Sequence, residues 1–505
     1  MITKILTRLT NKKDDTKLFW LVLIGAMTTA GLISLAIGLR QSIWFDEAYS
    51  ILLAHQSLGE LIRLTGIDTH PPLYYILLKV WAGVFGWSEL SLRLSSIVSM
   101  VLAIGIGGLL LRKMFGARLA IGGVLALMLA PLLLRYGFEV RMYADASLIG
   151  VAATYALYSA WQAKHKARWG WLAVYGVLVA IGTYTLYYLT FLWIAHVVWL
   201  LYVHIRSRQQ RQLWPFAAAY GGAVLLFVPW LPTFIGQMTN GALAPIGQPL
   251  NLDQLLGIAT FNVLYQPLYM VPVALTFLAI AVFAALVWIV PRSRQVLKGK
   301  YAEVALLIMY IGVPIGLLMI VSLGKSMYTE RYLSHVAIGL VMLLGIVVFA
   351  ALQQAGARSK ARRWAPLAIY GALLVGTIQL AIVGNFNFQR LQTPTVNQAA
   401  ASLDDCAPGT KLLASDPYVM TELSYYLGHC NVYFVSEWET LRGGYAPFSG
   451  SAQQIKSTED LQDDRITYVY YSNPDQPLPA RYIEVSHRSY GALNITEYER
   501  APSSE

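Results

Sequence analysis

Charged residues are scarce in this sequence. They make up 13% of the 505 residues, whereas 56% are hydrophobic, and ordinary soluble domains carry about 25% charged residues. The mean hydropathy is accordingly high, at +0.52. This composition excludes an ordinary soluble protein and predicts a polytopic membrane protein.

Long hydrophobic runs account for that composition. A helix that crosses a bilayer needs roughly 17–25 mostly apolar residues, and eleven runs of this kind are present. The first run is too long for a signal peptide and lacks a small-residue cleavage site, which predicts a retained helix. The runs lie near residues 18–39, 90–111, 117–134, 142–161, 169–185, 186–204, 213–231, 268–290, 303–323, 332–352 and 364–384.

Lysine and arginine are absent from the segment 233–267 and rare in alternate segments between the runs. The other alternate set, which includes the N-terminal segment, holds 22 of these residues. Basic residues accumulate in short cytoplasmic loops, so the pattern predicts a cytoplasmic N-terminus in the plasma or inner cell membrane. Eleven spans then place the C-terminus on the extracytoplasmic side.

The net charge of +11 does not indicate nucleic-acid binding. Residues 388–505 hold 8 Lys and Arg against 15 Asp and Glu, a net charge of −7, so residues 1–387 carry +18. Most of that positive charge lies in predicted cytoplasmic loops, where it faces anionic lipid. The sequence therefore predicts a lipid bilayer, and no nucleic acid, as the partner of the basic residues.

Cysteine is nearly missing, since Cys406 and Cys430 are the only two and both fall in the predicted external tail. An oxidising compartment permits a disulfide between them, and two unpaired thiols are the alternative. Metal-ligand spacings such as H-x-x-x-H and C-x-x-C are also missing. No metal or other cofactor is expected, although paired external acids could hold a divalent ion through oxygen.

The sequence pattern changes once, near residue 387. Residues 1–387 form the predicted membrane domain, which is all-α, and residues 388–505 form a predicted small α/β domain. In the tail, helix-type and strand-type segments alternate between Gly, Pro and Asn breakers. The predicted helices are "VNQAAASLDD" and "YVMTELSYYLG", and the predicted strands are "TKLLASD", "NVYFVS" and "RITYVYYS".

The first external loop, about 41–89, is predicted to contain helices that lie in the membrane interface. Ser57 and Glu60 have capping-box spacing, so one short helix is predicted to begin at Ser57. Pro71 and Pro72 suit the first turn of another. A second long loop, about 232–267, contains Gly and Pro and is predicted to form a lid.

Ionisable residues concentrate in the predicted external segments "WFDEAYS", "DTHPP", "RYGFEVRMYAD" and "KSMYTERY". Such groups at membrane depth indicate a site or pathway. A transporter places them near the midplane, whereas an enzyme that uses one substrate from the membrane and another from the water needs them at the outer edge. A carboxylate there can act as a general base, and arginines can hold a phosphate leaving group.

In this order, "WFDEAYS", "DTHPPLYYILLKVWAGVFGWSELSLRLSS", "RYGFEVRMYA" and "YTERYL" resemble the bacterial branch of the dolichyl-phosphate-mannose protein mannosyltransferases. These are GT-C membrane glycosyltransferases of the family-39 type, and the resemblance covers about 35–390. It implies a GT-C fold, a polyprenyl-phosphate sugar as donor, inversion at the anomeric carbon and no requirement for a metal.

The resemblance also implies roles for single residues. Asp46 matches the catalytic base, and Glu47 matches its structural or positioning neighbour. Three arginines are implied to bind the donor phosphate, namely Arg93, Arg141 and Arg331. Five residues are implied to shape the site or bind substrate, namely Asp68, His70, Glu139, Tyr143 and Tyr332.

Structural alternatives are open for these residues. Asp46 and Glu47 could be a solvated interfacial pair. Arg93 lies four residues after Glu89 and could form a local ion pair, and the other assigned residues could be ion pairs, caps or helix anchors. His196, in an apolar run, is interpreted as a packed or hydrogen-bonded helix residue and not as a ligand.

The sequence thus predicts an inverting glycosyltransferase that moves a sugar from a polyprenyl-phosphate donor to an acceptor hydroxyl on the extracytoplasmic face. A protein, a lipid-linked glycan and a wall polymer are all open as the acceptor. A transporter or lipid or glycan flippase is the alternative function, and a non-catalytic assembly protein is a further one.

Overall fold

Helices dominate the computed structural model, and a six-stranded sheet follows near the C-terminus. The residues described are 12–206, 212–239, 273–324, 329–354, 361–383, 395–403 and 410–502, apart from 440, 442–444, 446, 447 and 475. The α-helices in chain order are α1 (Lys12–Gly38), α2 (Phe45–His55), α3 (Leu58–Ile67), α4 (Leu73–Phe85), α5 (Glu89–Phe115), α6 (Ala117–Met128), α7 (Pro131–Gly137), α8 (Tyr143–Gln162), α9 (His165–Thr185), α10 (Leu189–Arg206), α11 (Trp214–Phe227), α12 (Leu231–Thr239), α13 (Val273–Val296), α14 (Tyr301–Gly324), α15 (Ser334–Gln354), α16 (Ala361–Val383), α17 (Thr395–Ala401) and α18 (Pro417–Tyr426).

Helical structure coincides with each of the eleven predicted membrane runs. Within the described residues, seven helices are long and apolar enough to cross a membrane, or eight if α6 and α7 count as one span. Those two helices meet at an angle of 59°. Pro131 begins α7, and its missing N–H and its ring prevent α6 from continuing straight through that point.

The chain divides into two compact units. The first contains Met1–Ala36, Leu94–Leu231 and Pro245–Ile382, and the second contains Ile37–Arg93, Pro232–Ala244 and Val383–Glu505. The second unit therefore includes the first predicted external loop together with the C-terminal segment.

Close helix contacts in the first unit depend on glycine. A Cβ atom on Gly122 of α6 would lie 2.4 Å from the backbone oxygen of Gly345 on α15, so the two backbones approach directly. Tyr370 of α16 donates a hydrogen bond to the Gly122 carbonyl at 2.9 Å. Small residues permit this kind of packing between membrane helices.

His196 has the structural role predicted for it. It is fully buried in α10, and its ring nitrogens lie 3.0 Å from the hydroxyl oxygens of Thr154 and Tyr175. Tyr175 in turn hydrogen-bonds Tyr220 at 2.5 Å. This network joins α8, α9, α10 and α11 and satisfies the buried imidazole.

The second unit contains the six-stranded sheet, with strand order β3-β2-β1-β4-β6-β5. Strands β1, β2, β3 and β4 run parallel, and β6 pairs antiparallel with β4 and β5. The short helices and three of the strands were predicted from the sequence, whereas β3, β5 and β6 were not. The strands are β1 (Thr410–Ala414), β2 (Val432–Val435), β3 (Gln454–Ile455), β4 (Arg465–Tyr471), β5 (Tyr482–Tyr490) and β6 (Leu493–Arg500).

The sheet buries apolar side chains on both faces. Leu412 packs in a cluster with Val419 and Leu423 of α18, and the adjacent Leu413 packs on the other face with Tyr468. Successive residues of a strand point to opposite faces, so this alternation fixes the register of β1. Helices α17 and α18 cover the first of these faces.

Two predictions fall wholly or partly outside the described residues. Most of the predicted lid, residues 232–267, lies there, and so does Cys406. Cys430 is disulfide-bonded.

Candidate active site

The predicted acid pair lies in the first turn of α2. Trp44 immediately precedes this helix, and its side chain cannot accept the hydrogen bonds that a capping Ser, Thr or Asp would accept. Glu47 partly replaces such a cap, because its Oε2 atom accepts a hydrogen bond from the Trp44 amide at 3.3 Å. The Glu47 side chain is buried, whereas that of Asp46 is partly exposed. Solvent can therefore reach Asp46 but not Glu47.

Arg93 connects Glu47 to a second acid. The Arg93 residue is 1% exposed, and its guanidinium lies 3.5 Å from Glu47 Oε2. It also pairs with Glu89, one turn earlier on α5, and donates a hydrogen bond to the Gly38 carbonyl. The local ion pair left open from the sequence is thus present, and Arg93 fixes the buried carboxylate of Glu47.

A residue from the tail completes the start of α2. Glu422 of α18 is 1% exposed, and its Oε1 atom accepts a hydrogen bond from the Phe45 amide at 2.9 Å. Its Oε2 atom accepts another from the Tyr471 hydroxyl at 2.9 Å. The first N–H groups of a helix have no acceptor within the helix. Glu422 supplies an acceptor for one of them, the Phe45 amide, directly before Asp46.

Tyr426, one turn after Glu422, holds the preceding segment. Its hydroxyl oxygen accepts a hydrogen bond from the Ile43 amide at 2.7 Å, and it also hydrogen-bonds the Glu89 carboxylate. Burial, followed by the charge of Glu89, raises the pKa values of both Tyr425 and Tyr426. Both hydroxyls therefore stay protonated, and that of Tyr426 can donate to Glu89 while it accepts from the backbone.

Aromatic contacts also join α2 to the C-terminal segment. The Phe45 ring stacks on Tyr418 of α18 with ring centres 4.6 Å apart, and it contacts Tyr445 at 5.1 Å. Tyr49, one turn further along α2, meets Phe448 edge-to-face at 6.1 Å. Aromatic pairs of this kind contribute about 0.5–1.5 kcal/mol each beyond area burial.

Asp68 and His70 lie together after α3, as their spacing suggested. Asp68 is fully buried, and its Oδ2 atom is 3.4 Å from His70 Nδ1. Thr69 bridges the pair, with its hydroxyl oxygen 3.3 Å from Asp68 Oδ1 and 3.0 Å from His70 Nδ1. The D-x-H segment is therefore a compact hydrogen-bonded turn.

Gln237 of α12 clamps this turn. Its amide group donates to the Thr65 carbonyl at 2.8 Å and to the Asp68 carbonyl at 2.7 Å, and the residue is 3% exposed. The Thr65 carbonyl belongs to the last turn of α3 and Asp68 directly follows that helix, and the last carbonyls of a helix lack partners within it. No role for Gln237 was predicted from the sequence, although an amide at the end of an apolar helix is a usable signal.

The other predicted residues lie in the first unit. Glu139 is buried beside Arg135, with 2.9 Å between Glu139 Oε2 and a guanidinium nitrogen. Ser96 of α5 donates to the Glu139 carbonyl at 2.6 Å. The same carbonyl accepts from the amide of Arg141 at 2.7 Å, and the Arg141 side chain is also buried. This short segment is held tightly before α8 begins.

Tyr188 interacts with residues of two of the quoted segments, "RYGFEVRMYA" and "YTERYL". Its ring stacks on that of Tyr332 at 4.2 Å, with an interplanar angle of 13°. Its hydroxyl interacts electrostatically with Tyr332, Tyr143 and Arg331. Three of the predicted residues thus interact with Tyr188, which was not predicted as a site residue and lies between α9 and α10.

The predicted site residues therefore divide between the two units. The second unit holds Asp46, Glu47, Asp68, His70 and Arg93, and the first holds Glu139, Arg141, Tyr143, Arg331 and Tyr332. The catalytic and phosphate-binding roles of these residues stay predictions.

Comparison with known proteins confirms the resemblance. A family model described as dolichyl-phosphate-mannose-protein mannosyltransferase matches residues 69–232. No curated protein sequence matches the chain significantly.

Solved structures share the fold at low sequence identity. ArnT from Cupriavidus metallidurans, solved bound to undecaprenyl phosphate, has a TM-score of 0.64 at 14% identity, over 95% of this chain and 98% of that chain. The archaeal oligosaccharyltransferase AglB from Archaeoglobus fulgidus has a TM-score of 0.54 at 14% identity, over 97% and 75%. The arabinofuranosyltransferase AftD from Mycobacteria has a TM-score of 0.53 at 14% identity, over 96% and 40%.

The predicted fold class is thereby confirmed, because every one of these structures comes from a GT-C membrane glycosyltransferase. The chain is a multi-pass membrane protein with that fold and a small C-terminal α/β domain, it contains a segment that matches the mannosyltransferase family, and its class of enzyme is a glycosyltransferase.

Proposed function

We propose that the protein is an inverting glycosyltransferase that moves a sugar from a polyprenyl-phosphate donor to an acceptor hydroxyl, with Asp46 as the general base. The placement of Asp46 carries this proposal. It is a partly exposed carboxylate in the first turn of α2, beside the buried Glu47 and directly after Phe45, whose amide is fixed by Glu422. A base must be accessible to the acceptor hydroxyl, and the partly exposed Asp46 stands on a helix start whose backbone is held by Glu47 and Glu422.

The donor class is supported by the fold comparison. ArnT, which shares the fold, was solved with undecaprenyl phosphate, and AglB was solved with a dolichol-phosphate. We assign the reaction to the extracytoplasmic face because the distribution of basic loops favours a cytoplasmic N-terminus and an external tail. The cell membrane is the proposed location.

In the proposed step, Asp46 accepts the proton of the acceptor hydroxyl while the hydroxyl oxygen attacks the anomeric carbon. The new glycosidic bond forms on the face opposite the leaving group, and the bond from the anomeric carbon to the phosphate oxygen breaks. The polyprenyl phosphate leaves with that electron pair. Arg141 and Arg331 are proposed to stabilise its charge, as guanidinium groups do for phosphate.

Glu47 and Arg93 have a positioning role in this proposal. Arg93 is buried between two carboxylates, so it holds the Glu47 side chain in place. Glu47 in turn accepts from the Trp44 amide and holds the turn that carries Asp46. We propose no metal in the reaction, because the proton goes to a carboxylate and the arginines supply the positive charge.

The test is a transfer assay on purified full-length protein with a panel of polyprenyl-phosphate sugars and hydroxyl acceptors. Asp46→Asn keeps the size of the side chain and removes its basicity, and we expect it to lower kcat by about 10²–10⁴-fold. Asp460→Asn is the matched control, because Asp460 is an exposed acid on the tail.

Unchanged transfer in Asp46→Asn, with native folding and donor binding, would overturn the assignment of the base. Translocation of the lipid-linked sugar across vesicles, without transfer and without dependence on Asp46, would instead support the flippase alternative.

A further inference from the structure

A cavity of about 760 Å³ opens in the C-terminal domain. Pockets that bind small molecules usually enclose about 300–1,000 Å³, so its size suits a ligand of one to a few rings. Its walls come largely from residues that directly follow β1, β2 and β4. They are Ser415, Asp416, Ser436, Glu437, Ser472 and Asn473.

The position of the cavity follows from the strand order. From β1 the chain moves to β2 and β3 on one side of the sheet, and then returns to add β4 on the other side of β1. Adjacent parallel strands whose connections leave in opposite directions create a crevice at their carboxyl ends. Open α/β sheets bind ligands at such a point, and here that point lies between β1 and β4.

The charges around the cavity disfavour an anion. Asp416 and Glu437 are the ionisable acids among the described lining residues, which include no lysine or arginine. The N-terminus of α18 points its amides towards Asp416, whose Oδ1 atom accepts from the Val419 amide at 2.9 Å. The protein's own carboxylate thus already occupies the place where a helix would bind phosphate.

Aromatic rings also line the cavity, beside its acidic residues. Trp438 lines it and is 68% exposed, which is unusual for so large an apolar ring. Tyr418, Tyr445 and Tyr471 also contribute to the wall. A pyranose ring presents C–H groups on its faces and hydroxyls at its edge. Flat aromatic rings beside carboxylate and amide oxygens match both parts of that molecule.

The same wall reaches the turn that carries the proposed base. Tyr418 and Tyr445 line the cavity, and both rings contact Phe45, the residue directly before Asp46. Glu422, which accepts from the Phe45 amide, also accepts from the hydroxyl of Tyr471 in the wall. An occupant of the cavity therefore touches side chains that hold the start of α2.

We propose that this cavity binds a neutral saccharide and that the saccharide is part of the acceptor. Trp438 stacks on the sugar ring, and Glu437, Asn473 and Gln476 bond its hydroxyls. The assignment of the saccharide as acceptor rests on the proposed transfer reaction, whereas its binding to the cavity does not.

The test measures binding first, on the full-length protein in detergent. Tryptophan fluorescence is titrated with a neutral mannotriose, a neutral maltotriose, a phosphorylated hexose and an unglycosylated Ser- and Thr-containing peptide. We expect saturable binding of at least one neutral trisaccharide, and we expect Trp438→Ala and Glu437→Gln each to weaken it about tenfold. Because Trp438→Ala removes a fluorophore, binding to that variant is measured by calorimetry.

Two controls match these variants. Glu439→Gln makes the same change two residues away, at an exposed acid that pairs with Lys456 and does not line the cavity. Val485→Ala removes an exposed apolar side chain of the same domain. Both controls should bind like the unaltered protein.

Failure of both neutral trisaccharides to bind would overturn the proposal, and so would preferential binding of the phosphorylated hexose or of the peptide. In the transfer assay, Trp438→Ala should raise KM for the acceptor and leave KM for the donor unchanged. Saccharide binding without any transfer would overturn the proposed function and keep the cavity assignment. Transfer with no effect of Trp438→Ala on acceptor KM would overturn the acceptor role and keep the enzyme.

Discussion

Glu422 accepts a hydrogen bond from the backbone amide of Phe45 at 2.9 Å, although the two residues are 377 positions apart in the chain. The amide belongs to the first residue of α2, and the next residue is Asp46. A side chain of the tail therefore fixes the turn on which the proposed base is carried. The C-terminal segment is part of the same compact unit as the first loop, and we propose that Glu422 positions the base through this hydrogen bond.

Replacement of Glu422 tests this role. Glu422→Ala leaves the Phe45 amide and the Tyr471 hydroxyl without their buried acceptor, which costs about 1–3 kcal/mol, and we expect kcat to fall. Glu422→Gln should restore most of kcat, because an amide oxygen can accept from Phe45 and its NH₂ group can donate to Tyr471. Steady-state kinetics should show the loss in kcat with donor KM unchanged. Equal activity of the Ala variant and the unaltered protein would contradict the positioning role.

The Arg93–Glu47 pair predicts a specific rescue of stability. Arg93→Met leaves the buried Glu47 carboxylate without its guanidinium, and breaking a buried pair in this way costs about 3–5 kcal/mol. Adding Glu47→Gln removes the uncompensated charge, so the double variant should unfold at a higher temperature than Arg93→Met alone. Thermal unfolding in detergent measures both. A double variant no more stable than the single one would mean that Arg93 does not act by holding Glu47.

Metal removal provides a third prediction. The proposed step places the proton on Asp46 and the leaving-group charge on arginines, so dialysis against EDTA should leave the transfer rate unchanged. The measurement is the rate before chelation, after it, and after addition of Mg²⁺ or Mn²⁺. A rate that falls on chelation and returns with either ion would contradict the proposed chemistry.

Helix packing in the membrane unit makes a fourth prediction. Gly122→Ala places a methyl group 2.4 Å from the Gly345 carbonyl oxygen, a backbone atom that cannot rotate away. We expect a loss of about 1–3 kcal/mol, as for other overpacked interiors, and a lower unfolding temperature. Gly221→Ala is the matched control, since its added methyl group meets no atom within 4 Å. The prediction fails if both variants unfold at the same temperature.

Much of the membrane part could be predicted from local pattern. Hydrophobic length is a property of a segment alone, and helical structure lies at all eleven predicted runs. The start of α3 was likewise predictable, because Ser57 accepts from the Glu60 amide as a capping residue should. In the tail, β1, β2 and β4 were found because buried parallel strands are apolar throughout. Strand β5 was missed because most of its residues are exposed or half-buried, so it lacks that signal.

The ionisable residues of the candidate site could be predicted from the sequence, but the residues that hold them in place could not. The acids and arginines were visible because ionisable residues are rare in such a chain. Glu422, Gln237 and Tyr188 look like ordinary residues of a helix or an apolar loop, and only their partners give them a role. Those partners are distant in sequence, and local sequence patterns do not predict contacts between distant segments.

The sequence by itself determined which segments are apolar enough to enter a membrane, where the few acids and arginines lie, and which enzyme family the first loop resembles. These are local properties, fixed by the order of side chains and by the cost of placing charge in lipid. Only the tertiary structure decided that Arg93 also contacts Glu47, that α18 supplies the acceptor for Phe45, and that three strand ends line one cavity. The first two depend on buried polar groups finding partners far along the chain, because a polar group buried without a partner is too costly to keep. The cavity depends on the order in which distant strands pair.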